Sequence, residues 1–242
     1  MTRRRIWSGV AALAVGVTAL GYVNAAAPLA APVYTKVIDA DIAALNKLLN
    51  EGKPERGAMS TIKPLALLIA SNAKHAGKDG VAAAAVKVAE AASKKDWAGA
   101  TATAKTLASA SGGTVPADLH KLYKMDLADA MSPFRLAKSG GLNIEKDIRE
   151  GKKATSSITP DTAVLIGART AAIAEFTYHF PVDKAASGAG AAKWKKLTDS
   201  MLDVSKQLTE AASKPGATPA SLSKLMGALD ATCINCHNEF RD

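Results

Sequence analysis

From residue 34 onward apolar side chains recur three and four positions apart, a spacing that lines up one face of an α-helix and neither face of a strand. Val37, Ile42, Leu45, Leu48 and Leu49 form one such stripe, and Leu197, Met201, Val204 and Leu208 form another. Gly, Pro and Ser punctuate the pattern and divide it into candidate helices over 35–50, 59–75, 81–93, 97–111, 117–138, 161–179, 191–213 and 219–240. Thr159-Pro160-Asp161 and Thr218-Pro219 are start signals, a capping hydroxyl followed by proline in the first turn. No run of alternating β-formers competes. Hydrophobic residues make up 48% of the chain, enough for a core, and aromatics only 5%. That balance favours the alanine-rich helix over the strand, so the expected class is all-α.

The eight candidate helices group as two four-helix bundles in tandem, over 34–115 and 116–242. Short repeats support the grouping: "EGK" at 51–53 recurs at 150–152, and "EAASK" at 90–94 recurs at 210–214, the second copy being longer around 180–190. One register then sets "SGGTV" at 111–115 against "CINCH" at 233–237. Another aligns "PADLHKL" at 116–122 with "PASLSKL" at 219–225 and sets "MSPFR" at 131–135 against "HNEFR" at 237–241. In either register the first copy lacks the reactive residues of the second and is degenerate.

The first residues read as an address. Arg3, Arg4 and Arg5 precede an apolar, uncharged stretch to Tyr22, and Val23-Asn24-Ala25 offers the small-x-small pattern of a signal peptidase site. Residues 1–25 are therefore expected to be a cleaved signal peptide and the protein periplasmic or otherwise exported; the alternative is an N-terminal membrane anchor. "TRRRIW" also has the look of a twin-arginine export signal. Cleavage lowers the formal charge of +9 by the three arginines. The remaining mild basicity suits a brief encounter with an acidic partner, and no basic run interleaved with aromatics points to nucleic acid.

The reactive residues lie at the far end, in "TCINCHNEF" at 232–240, which holds both cysteines of the chain. Positions three apart share one helical face, so Cys233 and Cys236 project together, and His237 follows directly. Two thioether bonds to the vinyl groups along one side of a haem, plus one axial imidazole, use this arrangement, and C-x-x-C-H is the attachment signature of c-type haem. A redox dithiol would open a helix beside a βαβ unit, and zinc would need four ligands, which the scattered His75, His120 and His179 do not complete at finger spacing. A disulfide across three residues would close a trivial loop. Haem attachment also fits export, because haem is ligated to such chains outside the cytoplasm, which in turn argues for export of an unfolded chain and against the twin-arginine route.

An all-helical segment with C-x-x-C-H near its end, followed by "NEFR", resembles the class II cytochromes c, the cytochrome c-prime family. The likeness covers about 116–242, and the first half only through the repeat. It implies a four-helix bundle whose last helix clasps one covalent haem c. Cys233 and Cys236 would be its anchors, His237 the axial iron ligand, and Arg241 the basic residue beside the propionates, preceded by the family's aromatic at Phe240. If 117–138 is the bundle's first helix, Met125 and Met131 are the candidates for a sixth ligand. His179 in "FTYHFP" could also approach the haem, which would depart from the family pattern.

The expected function is one-electron transfer by an exported monohaem cytochrome, not an enzyme, with an acidic redox partner protein and the haem attachment machinery as its partners; a homodimer is a further expected possibility. Two alternatives stay open: a five-coordinate haem protein binding nitric oxide or carbon monoxide, and a non-haem helical interaction module.

Overall fold

A computed structural model of the chain describes residues 29–122, 125–153, 155–179, 181–182, 185 and 188–240. The stretch expected to be a signal peptide, 1–25, and Arg241 lie outside the described residues. Those described are helical, with no strand among them. The long helices are α1 Ala31–Leu49, α2 Arg56–His75, α3 Asp79–Ser93 and α4 Trp97–Lys105, then, after two single-turn helices, α5 Leu119–Leu122 and α6 Leu127–Ala130, come α7 Ile144–Gly151, α8 Pro160–Tyr178, α9 Gly188–Ala212 and α10 Pro219–Phe240. No helix among the described residues is long and apolar enough to cross a membrane.

Start signals act as their chemistry dictates. Thr159 accepts from the Thr162 backbone N–H, and Pro160 occupies the first turn of α8, where its missing donor costs nothing. Thr218 and Ser221 cap α10 reciprocally, each hydroxyl accepting the other's backbone N–H.

The helices pack as consecutive neighbours, α1 on α2, α2 on α3 and α3 on α4, then α8 on α9 and α9 on α10, with α7 closing against α10 and α8. Helix α8 also meets α1 and α2, so both halves share one apolar core. Helices α2 and α8 are buried almost all round, from Pro64 to Ala73 and from Ile166 to Ala174. Such a helix belongs inside a protein rather than at its surface. The tightest approach is between α8 and α9: a Cβ at Gly167 would come within 2.3 Å of the Thr209 hydroxyl and 2.7 Å of the Ser205 carbonyl oxygen. Buried hydroxyls along this seam satisfy themselves within their own helices, Thr170 on the Ile166 carbonyl, Ser205 on Met201 and Thr209 on Ser205. A small, self-satisfied surface can be buried without a cross-helix partner.

Between the halves, the Arg169 guanidinium donates to the Asp41 carboxylate at 2.7 Å, with Asp41 wholly buried. Burial pushes the Asp41 carboxyl above its ordinary range against the pull of Arg169.

The stretch 117–138 is not the continuous helix its periodicity predicts. It is two single turns, α5 and α6, and 3-10 turns at Ser132–Phe134 and Ala137–Ser139. Asp126 accepts from the Ala128 N–H and starts α6 afresh, and Pro133, which cannot donate to an i−4 carbonyl, ends it. Gly140, at φ +79°, then turns the chain back; a Cβ there would lie 2.3 Å from the α2 backbone at Gly57 and Ala58. The segment docks at a defect in α2. Pro64, inside that helix, has no N–H for the Ser60 carbonyl, and the buried Ser132 hydroxyl donates to that oxygen at 3.0 Å instead. Arg135 adds a 3.0 Å bond to the Ser60 hydroxyl. Conversely, α7 is a helix that the periodicity does not single out, being only eight residues long.

Candidate functional site

Helix α10 carries Cys233 and Cys236 on its last two turns, both half-buried and both free thiols, with no disulfide between them. His237 is exposed beside them, and its side chain makes no hydrogen bond or ion pair among the described residues. Ile234, between the cysteines, is 48% exposed, the most of any large apolar side chain described.

Two environments meet at the motif. Cys236 packs against a small apolar cluster separate from the main core, formed by Ala185, Trp194 and Phe240 with Leu127, Val182 and Leu197 at its margin. Trp194 is its pivot: its indole N–H donates to the Thr177 carbonyl at 3.0 Å, and its ring meets Phe240 edge-on at 5.2 Å. Thus the end of α8, the start of α9 and the end of α10 are fastened together around the motif, with an exposed Lys193–Glu239 ion pair outside. Cys233 faces the acidic side. Burial pushes its thiol up to about 11, the carboxylates of Asp230 and Glu145 and the neighbouring Cys236 adding to the effect and a hydrogen bond with Thr232 opposing it. Burial raises Cys236 as well. Both cysteines are therefore neutral thiols at neutral pH, poor nucleophiles and slow to pair oxidatively.

Met125 and Met131 are partly buried against the main core, not in the cluster around Cys236. Leu127, between them in sequence, takes that place. Leu127 and Trp194 are the site residues that sequence reasoning missed; each lies on an apolar stripe, and nothing in a stripe says which cluster it joins. The other histidines assemble about the end of α8. His75 pairs with Glu175 at 3.3 Å, and His120 stacks on His179 with ring centroids 4.2 Å apart and planes inclined by 17°. His179 also meets the Tyr178 ring edge-on. No group of three or more His, Cys, Asp or Glu among the described residues could hold a metal ion by itself.

The donor set fits a covalently attached haem. Two thiols free of any disulfide share a helical face, an imidazole with no side-chain partner among the described residues follows them, and apolar surface lies beside them. Comparison with protein-family models, curated proteins and solved structures finds no match.

Proposed function

We propose that the protein is an exported monohaem c-type cytochrome that carries single electrons, built as two tandem four-helix bundles, α1–α4 and α7–α10, with the haem on the second. The observation that carries this reading is the pair of free, half-buried thiols one turn apart on α10 with the exposed His237 imidazole directly after them, unpartnered among the described residues. Cys233 and Cys236 would hold haem c by thioether bonds, and His237 would ligate its iron. When bound, the group supplies an iron(II)/iron(III) couple at a potential that the protein tunes through ligation, burial and hydrogen bonding.

The remaining residues have roles of their own. Trp194 and Phe240 hold the last turn of α10 against α8 and α9, so the three attachment atoms keep fixed relative positions. In the folded, haem-free chain burial keeps the Cys233 and Cys236 thiols protonated, which slows their pairing as a disulfide, because a thiolate is the species that attacks. Leu127, Val182 and Leu197 offer an apolar wall that excludes water beside Cys236. Lys193, paired with Glu239 on the last turn of α10, lies next to the motif, and with Lys195 and Lys196 on the same stretch of α9 it suits an acidic redox partner.

Visible spectra of the protein made in a host competent in haem attachment test the function, taken in both oxidation states with and without carbon monoxide. Electron transfer predicts reversible oxidation and a ferrous spectrum that carbon monoxide leaves unchanged. Ready binding of carbon monoxide to a high-spin ferrous form would instead make this a gas-binding protein, and a colourless product would leave a helical interaction module.

A further inference from the structure

Three of the four histidines of the chain, His75, His120 and His179, meet at the end of α8. His75 reaches it through Glu175, and His120 through the ring of His179. His237 lies on the turn of α10 that Phe240 and Trp194 tie to the Thr177 carbonyl. Their positions, 75, 120, 179 and 237, give no hint of this.

Of the three besides His237, His179 stands nearest the thiols along the chain. Two residues before it Thr177 holds Trp194, and three residues after it Val182 packs in the cluster with Cys236. Three residues span at most about 11 Å, so the His179 backbone is confined to the neighbourhood of that cluster. Its ring is held as well as placed, with His120 stacked on one face and the Tyr178 edge against it. The two methionines that the family resemblance offers instead are partly buried against the main core.

We propose that His179 is the second axial ligand of the haem iron, opposite His237, with His120 as the residue that positions it. This rests on the haem reading above and goes beyond it by giving the iron two imidazoles, which holds it low-spin and closed to small gases.

The test is the spin state of the haem-loaded protein by electron paramagnetic resonance and visible spectroscopy. Expected is a low-spin parent with a bis-imidazole signature. His179→Ala should become high-spin and bind carbon monoxide while keeping its covalent haem, and added imidazole should restore the low-spin spectrum. His120→Ala should raise the high-spin fraction, whereas His120→Phe, which preserves a stacked ring, should not. Met125→Ala and Met131→Ala should resemble the parent. Circular dichroism of each variant separates loss of ligand from loss of fold, and imidazole rescue does so independently. A red but high-spin parent overturns this assignment alone, as does a low-spin spectrum that survives His179→Ala or is lost in Met125→Ala or Met131→Ala. A colourless parent overturns the haem reading and this assignment with it.

Discussion

Cys233 is a thiol that the fold keeps protonated. Its acidity is displaced to about 11 by burial and by the carboxylates of Asp230 and Glu145. In the haem-free chain, alkylation of Cys233 by iodoacetamide, followed by mass spectrometry across pH, should stay slow at pH 8 and climb only toward pH 11. In denaturant the same residue should follow an ordinary thiol profile, about two pH units lower. An identical profile in both states would remove the environment described here. The sign of the linked stability follows: a folded-state value raised above the unfolded one gives stability that is complete below the unfolded midpoint and is lost as pH rises toward 11. Unfolding midpoints of the haem-free chain should therefore fall between about pH 9 and 11, less steeply in Cys233→Ala. The motif itself was legible from sequence, because spacing on a helix fixes which side chains share a face. Its surroundings were not: Leu127 and Trp194 lie 67 positions apart and meet only through tertiary packing.

At the scale of elements, two contacts set how close the helices come. Gly167 lies against the backbone and hydroxyls of α9, so Gly167→Ala should cost about 1–3 kcal/mol by overpacking, read from denaturant unfolding. Cost below a few tenths would mean that α8 and α9 can separate freely. The second is the repair of the proline defect in α2. Ser132→Ala strips the Ser60 carbonyl of its donor and should destabilise by about 1–3 kcal/mol. In a Pro64→Ala background the restored N–H can serve that carbonyl, so the same Ser132→Ala change should cost markedly less; equal costs in both backgrounds would refute the coupling. This contact also explains why 117–138 misled. Apolar residues recur there at helical spacing because they face α2, yet Asp126, Pro133 and Gly140 cut the helix into turns that fit against it. Helices α8 and α10, by contrast, announced themselves by Thr159-Pro160 and Thr218-Pro219, where capping is local and needs no partner.

For the whole molecule, the buried Asp41–Arg169 pair joins the halves. Arg169→Met leaves a carboxylate stranded in the core and should cost about 3–5 kcal/mol at pH 7. Burial already raises Asp41, and loss of Arg169 raises it further, so protonation relieves the cost; the deficit against the parent should shrink as pH falls from 7 toward 4. The double change Asp41→Leu with Arg169→Met should recover most of the stability, and failure to recover would show that the pair does more than neutralise itself. With both halves sharing one core, the second half is not expected to melt separately from the first in thermal unfolding. That packed frame presents Cys233, Cys236 and His237 at one end of α8–α10, and the account stands on what they hold. The direct measurement is the intact mass of the protein recovered from a host competent in haem attachment. The mass should show an addition of one haem that survives denaturation, maps to the peptide containing Cys233 and Cys236, and disappears in the Cys233→Ala/Cys236→Ala variant. An unmodified mass with two free thiols or a single disulfide would contradict it.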